Sequence, residues 1–284
     1  MTKIFPLIFI VLWSSAFITT KPIVDHSEPF SALAFRFFFV SLGFLIFSIY
    51  KNFSLVVSKS NLIQSLVSGV LFHGIYLGGV FYSVSVGMPT GIAALIVTLQ
   101  PILTNILAGP ILKENVSYHQ WIGILLGFLG AVLVLGFDIG KNIPFDGVIA
   151  TIISLVSITS ATIWQKKISN NLPIETSNTY QAIGGCLFHI LIIVFVTKFQ
   201  INFSFTFIAA MSHQVLLVSF GAFTILMFLI RENSASKTTS FFFLIPSVSA
   251  LMAWLFLNEN LYYIDIIGFL IASIGVYIAT RPEK

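Results

Sequence analysis

Long apolar runs separated by short polar clusters account for most of this 284-residue sequence. A helix that crosses the hydrocarbon core of a bilayer needs about 20 mainly apolar residues. The pattern supplies ten such runs, at 4–24, 31–50, 62–86, 90–111, 119–137, 147–166, 175–197, 213–231, 237–257 and 262–280. The breaks fall at Asp25-His26-Ser27-Glu28-Pro29, Lys51-Asn52, Gly87-Met88-Pro89, Lys113-Glu114-Asn115 and from Asp138 to Asp146. They continue from Lys167 to Pro173, Lys198 to His213, Arg231 to Ser236, and at Asn258-Glu259-Asn260. The piece from Phe203 to Met211 is too short to span and is expected to lie in the interface. The first run follows Lys3 as a signal peptide would, but it ends in Lys21-Pro22 without a small-residue cleavage site. It therefore reads as the first spanning helix.

Composition narrows the class. Only 8% of residues are charged, against 57% hydrophobic, and the mean hydropathy is +1.00. Soluble domains carry about 25% charged residues, and disorder needs low hydrophobicity with high net charge. The pattern thus predicts an all-α integral membrane protein with the lipid bilayer as its solvent. Ten spans use roughly 200 residues and leave no room for a soluble domain. The single cysteine, Cys186, excludes a disulfide framework and any Cys-based metal site, and reads as a small buried side chain.

The formal net charge of +4 comes without a basic run, so nucleic acid is not an expected partner. Topology explains the excess. With both termini cytoplasmic, Lys3, Lys51, Lys59, Lys113, Lys166, Lys167, Arg231, Lys237, Arg281 and Lys284 lie inside. Lys21, Arg36, Lys141 and Lys198 lie outside or near the outer face. That is the sign of the positive-inside bias.

The halves, 1–140 and 146–284, match at a constant offset of 145 residues. Pro101 falls on Pro246, Glu114-Asn115 on Glu259-Asn260, and Tyr118 on Tyr263. Gly123 falls on Gly268, Gly130 on Gly275, Ser15-Ala16 on Ser160-Ala161, and Lys21 on Lys166. Between Thr98 and Leu135, eleven of thirty-eight positions are identical to their partners. Five helices per half is an odd number, so the second half must insert upside down. Two inverted five-helix repeats are a common architecture of secondary transporters, whose substrate site lies at the repeat interface near mid-membrane.

The same residues carry a family resemblance. Trp13-Ser14-Ser15-Ala16-Phe17, Ala34-Phe35-Arg36-Phe37 and Gly91-Ile92-Ala93-Ala94-Leu95 come first, followed by Pro101, Lys113-Glu114-Asn115, Gly123 and Gly130. In this order and spacing they resemble a tandem EamA-domain protein of the drug/metabolite transporter superfamily, over essentially the whole chain. The resemblance implies ten helices, cytoplasmic termini in a prokaryotic inner membrane, and a central cavity lined by helices 1, 3, 4, 6, 8 and 9. It also implies transport of small metabolites, often amino acids or related amphiphilic compounds.

The repeat supplies a sorting rule. A residue kept in both halves serves the shared fold, whereas a polar or aromatic residue found in one half suits an asymmetric ligand. Glu114 and Glu259 fall in the first class, as caps of the following helix or of other exposed N–H groups. Gly74/Gly78 and Gly123/Gly127 have GxxxG spacing for close helix packing. Pro101 and Pro246, inside spans, are fixed kinks or hinges whose freed carbonyl faces the cavity. The second class is Trp13, Ser14, His73, Tyr76, Tyr82, Gln100, Asn105, Trp164 and Gln165. Six of these have apolar partners at the offset: Ile158, Val218, Gly221, Met227, Ile245 and Ala250 stand opposite Trp13, His73, Tyr76, Tyr82, Gln100 and Asn105. The alternative for the polar ones is hydrogen bonding between helices. Tyr50, Trp121, Tyr262 and Tyr263 suit interfacial belts.

Lys21 and Arg36 are expected at the outer mouth, snorkelling and pairing with Asp25 or Glu28, or capturing a substrate carboxylate. No Asp or Glu lies deep in a span, which leaves His73 and His189 as deep titratable groups. His73 is the proton-coupling candidate and His189 a structural one. Few deep basic residues argues against phosphorylated substrates and favours neutral or zwitterionic ones. No HExxH, paired intramembrane aspartates, nucleophile elbow or Walker motif occurs, so neither an enzyme nor an ATP-driven pump is expected. No metal or cofactor is called for. The expected function is a secondary transporter, monomeric or weakly dimeric; the alternative is a passive channel or a non-transporting membrane scaffold.

Overall fold

Hydrocarbon offers no hydrogen bonds, so a chain this apolar closes its backbone bonds within helices. The computed structural model describes residues 4–135, 143–257 and 261–281, and is almost wholly helical there. Its helices are α1 (Phe5–Val24), α2 (Pro29–Tyr50), α3 (Lys59–Ser85), α4 (Thr90–Val97), α5 (Gln100–Leu112) and α6 (Tyr118–Leu135). The second half follows with α7 (Phe145–Ile168), α8 (Ile174–Phe195), α9 (Phe205–Glu232), α10 (Ala235–Ser240), α11 (Ile245–Leu257) and α12 (Tyr263–Thr280). Eight helical stretches among the described residues are long and apolar enough to cross a membrane: α1, α2, α3, Ile92–Leu112, α7, α8, α9 and α12. Tyr118–Val134 is apolar but shorter.

The duplication reappears in the element boundaries. α2 and α8, α5 and α11, and α6 and α12 start and end 145 residues apart. Irregularities repeat as well. α3 widens into a π-helical stretch at Val70–Tyr76, and α9 does so at Gln214–Ala222. α4 stops at Val97, just before Pro101 in the first turn of α5. A 3₁₀ turn, Phe241–Leu244, stands in the same place before Pro246 in α11. Proline has no N–H to return to the carbonyl one turn earlier, so the helix is interrupted at both sites. The predicted kinks are therefore breaks.

One expectation fails. Phe203–Met211 is not an interfacial fragment, because Phe205 opens a 28-residue helix that runs to Glu232. Ser204 Oγ caps it, accepting from Phe207 N at 3.2 Å. The polar pair His213-Gln214, at the edge of the expected span, lies inside the helix, where His213 Nε2 meets Ser15 Oγ and Gln214 Nε2 donates to Ala16 O.

α6 and α12 cross antiparallel on glycine. A Cβ built on Gly123 would lie 2.4 Å from Ala279 N and 2.6 Å from Gly275 O. One on Gly130 would lie 2.4 Å from Ala272 N and 2.5 Å from Gly268 O. The contact is reciprocal: Gly123 meets Gly275, while their repeat partners, Gly268 and Gly130, meet each other. Gly74 packs under Phe188, and Gly78 under Phe30 and His189. The main core joins α1, α3, α7 and α9 through Phe9, Trp13, Phe72, Ile158 and Phe223.

Gly123→Leu places a branched side chain against backbone. We expect a loss of about 1–3 kcal/mol, the usual cost of overpacking. A thermal-unfolding scan of the purified protein in detergent should show a lowered midpoint, and Leu125→Ala on the exposed side of α6 should change it far less.

Candidate functional site

The two π-helical stretches face one interior cavity. It is lined from α1 by Trp13, Phe17 and Thr20, from α2 by Arg36, from α3 by Phe72, His73 and Tyr76, and from α9 by Gln214, Ser219 and Phe223. A π turn adds a residue and redirects the side chains around it, and such turns concentrate at functional sites. Here they carry His73 and Tyr76 on one side and Gln214 and Ser219 on the other. The free space is about 40 Å³, room for roughly three waters. The space is too narrow, as it stands, for an organic solute.

Arg36 is the centre of this site. It stands seven residues into α2, roughly 10 Å from the helix start, and is 3% exposed. Its Nε donates to Ser219 Oγ at 2.9 Å, and its Nη1 donates to Gln214 Oε1. Gln214 Nε2 in turn donates to Ala16 O and to Thr19 Oγ1, both at 3.0 Å. The guanidinium also lies 5.3 Å from the Phe37 ring centre, within cation–π range. None of these partners is charged. An ion held out of water without a counter-charge costs several kcal/mol even after relaxation.

The outer-mouth assignment of Arg36 is therefore corrected: it points into the interior and pairs with neither Asp25 nor Glu28. Lys21 does pair with Asp25, at 2.7 Å on the surface, where its side chain is 65% exposed. Glu28 caps α2 instead, accepting from Ser31 N at 2.7 Å.

The other sequence candidates divide. Trp13, His73 and Tyr76 meet at the cavity. The His73 ring is sandwiched by Phe37 and Phe223, at 4.4 and 4.3 Å between centroids. Ser14 instead ties α1 to the break before α11, donating to Ile245 O at 3.2 Å and accepting from Ser249 Oγ at its carbonyl at 3.0 Å. Gln100 donates to Thr162 Oγ1 at 3.0 Å, the corresponding tie between α5 and α7. Asn105 is buried, with neither amide atom bonded among the described residues. Gln165 accepts from Ser68 at 3.0 Å, and Trp164 donates to Gln64 O at 3.1 Å, so both brace α3 away from the cavity lining. Tyr82 is half-buried beside Phe30, with 6.4 Å between ring centres. His189 Nε2 donates to the His73 carbonyl at 2.9 Å, and Cys186 is buried and free.

Gln214 and Ser219 were missed, although the sorting rule reaches them. Their partners at the offset are Gly69 and Gly74, so each is polar in one half only. Gln214 stood at the edge of the expected span 213–231, and Ser219 lay inside it without being singled out.

One face of the molecule is fastened by charges on helix ends. Glu114 does not cap α6, the next helix. Its carboxylate accepts from Ala235 N at 2.8 Å and Ser236 N at 3.3 Å, at the start of α10 in the other half. Lys166 Nζ donates to the carbonyls of Ile230, Arg231 and Asn233, at 3.0, 3.1 and 2.5 Å, at the end of α9. Both obey the dipole rule, an anion at a helix N-terminus and a cation at a C-terminus. Lys21, the repeat partner of Lys166, makes no such clasp, because it is paired within its own helix. Glu259, the partner of Glu114, lies outside the described residues.

Comparison with known proteins bears on this arrangement. The model of the EamA-like transporter family matches twice, at residues 2–136 and 146–281. The chain belongs to that family. Among its relatives is YvbV, an uncharacterized transporter of Bacillus subtilis, 23% identical over 279 residues that cover 97% of this chain and 90% of that protein. Another, YyaM of the same organism, is 26% identical over 294 residues, covering 96% and 91%. A protein of Salmonella typhimurium named a probable amino-acid metabolite efflux pump is 22% identical over 282 residues, covering 96% and 92%. One crystal structure superposes with a TM-score of 0.83 at 16% identity, covering 98% of this chain and 96% of that one. It supports the fold.

Glu114→Gln removes the charge from the cap. Amide hydrogen exchange over Ala235–Thr239 should quicken by about two- to fivefold, matching the loss of roughly 0.5–1 kcal/mol of charge–dipole attraction. The same exchange at Lys59–Ser65 should stay as it was.

Proposed function

We propose that this EamA-family chain is a secondary transporter that works by alternating access in a cell's inner membrane. Its substrates are small amphiphilic metabolites that carry a carboxylate, with amino acids and related compounds among them. The observation that carries the reading is Arg36, a guanidinium buried at an occluded cavity where α1, α2, α3 and α9 meet. The name of the Salmonella relative, a probable amino-acid metabolite efflux pump, points to the same class of solute. This reading replaces the neutral solutes expected from the sequence with carboxylate-bearing ones and keeps the zwitterionic amino acids.

The proposed architecture is ten spans in two inverted repeats, 1–140 and 146–284, with both termini cytoplasmic. The matching boundaries at one offset and the reciprocal antiparallel contact of α6 with α12 support it. In alternating access the clasped face, which carries Lys113, Lys166, Lys167, Arg231 and Lys237, is the cytoplasmic gate in its closed setting. Release of Glu114 and Lys166 from the helix ends would let α9 and α10 swing away, with the breaks before Pro101 and Pro246 as hinges. Neither a metal nor a cofactor has a part in this cycle, and a monomer or weak homodimer suffices for it.

Counterflow in proteoliposomes tests the proposal. Vesicles loaded with a mixed pool of amino acids and their carboxylate relatives should accumulate labelled solute saturably. Trp13→Ala should cut that exchange by about tenfold or more, as expected for loss of an aromatic wall worth ~1.4 kcal/mol or more. Trp164→Ala should leave most of it. Non-saturable flux would favour a channel, and no flux with any loaded pool would favour a scaffold. His73→Phe tests coupling separately: pH-driven uptake that survives this change excludes His73 as the proton carrier.

A further inference from the structure

We infer that the cavity discriminates among carboxylate-bearing solutes by net charge. It takes a monoanion with an apolar body, its carboxylate on the Arg36 guanidinium, in preference to a zwitterion. The purpose of this site rests on the carrier reading above; its charge preference does not.

The fold itself does not ask for the charge. At the repeat offset Arg36 corresponds to Gln181, Thr20 to Gln165, and Gln214 to Gly69. The twin position is a neutral network. Ser68 Oγ donates to Gln165 Oε1 at 3.0 Å and to Gln181 Oε1 at 3.1 Å, and Gln181 Nε2 donates to Ser177 Oγ at 3.0 Å. Gln181 is fully buried there. The same corner of the same fold thus packs with an uncharged amide, and only the copy that lines the cavity carries a cation. A charge placed where packing does not need it, at a cost, is explained by what it binds.

Among the described residues, nothing on the cavity wall neutralises it. The described acidic residues, Asp25, Glu28, Glu114, Asp146, Glu175, Glu232 and Asp265, all lie at helix ends. Two of the guanidinium nitrogens, Nε and Nη1, are held by Ser219 and Gln214, while Nη2 donates to no described residue. A carboxylate on that edge would make charge-assisted bonds and bring the site to neutrality. The remainder of the wall is aromatic and aliphatic, from Trp13, Phe17, Phe72, Tyr76, Val80 and Phe223. A zwitterion would set its ammonium against ring faces with no carboxylate to meet it, and the occupied site would keep a net positive charge. A monoanion leaves no such remainder.

Four probes that share one phenylpropyl body separate the possibilities: 3-phenylpropanoate, phenylalanine, 3-phenylpropan-1-ol and 3-phenylpropylamine. Titration calorimetry on the purified full-length protein in nanodiscs should rank 3-phenylpropanoate first by about tenfold or more, the scale of one strong charge-assisted contact. This ranking needs no variant. Arg36→Gln copies the residue at the twin position and should fold, with an unchanged gel-filtration profile. It should abolish the advantage of the acid over the alcohol, and Arg36→Lys should keep part of it. Equal affinity for acid and alcohol would overturn the inference. So would tighter binding of phenylalanine, or an acid preference that survives Arg36→Gln. Binding of none of the four, with chloride alone raising the thermal midpoint, would overturn it in favour of an inorganic anion site. Counterflow of solutes without the anion ranking keeps the carrier and removes this inference. The ranking without counterflow keeps the inference and removes the carrier.

Discussion

The backbone of the spans must close its hydrogen bonds inside the protein, because the surrounding hydrocarbon supplies none. That constraint accounts for the helices and for where they deviate. Two prolines deprive a carbonyl of its N–H, and the chain answers with helix breaks braced from outside, by Ser14 on Ile245 O and by Gln100 on Thr162. Two helix ends are closed by Glu114 and Lys166 from across the molecule, where water would serve in a soluble protein. A guanidinium cannot be treated in this way. Its hydrogen bonds to Ser219 and Gln214 satisfy donors but leave the charge, and the cavity is the space in which a counter-charge can sit.

The duplication supplies the frame for that asymmetry. Glycines kept in both halves bring α6 and α12 into backbone contact, where bulkier residues would hold them apart. These positions are scaffold because the contact is reciprocal, each glycine serving its partner's repeat. Substrate chemistry enters where the repeat is broken. Arg36 stands against Gln181, Gln214 against Gly69, and Ser219 against Gly74. Each difference puts polarity into one copy of a shared corner and removes it from the other.

Most of the fold was legible in the sequence because its signal, apolar runs with a fixed offset, is long and redundant. The limits of α2, α5 and α6 return unchanged at α8, α11 and α12, so an error in one half is checked by the other. Legibility failed at His213-Gln214. Polarity in a membrane sequence marks either an edge or an interior site, and pattern alone does not separate the two. Trp13, His73 and Tyr76 were singled out because each is polar or aromatic in one half and apolar in the other. Trp164 and Gln165 were drawn into the same group by type, yet they bond to Gln64 and Ser68 on α3. Which face a side chain meets depends on the π turns, and these have no clear signature in sequence.

Arg36 carries the same lesson with charge added. Seven residues into a helix is close enough to the membrane face for a long side chain to reach water, so snorkelling was the economical reading. The direction of the side chain decides otherwise. It is turned toward α9, where the π stretch of Gln214–Ala222 presents Gln214 and Ser219 to it. The widened turn of α9 and the buried cation of α2 therefore belong together, each unfavourable alone. An ordinary α-turn at this place would aim the two acceptors elsewhere and leave the guanidinium without hydrogen bonds. The π stretch of α3 persists without a facing cation and presents His73 and Tyr76 to the same space. Both wide turns thus line the cavity as well as the core, and the one facing Arg36 supplies the acceptors of its charge.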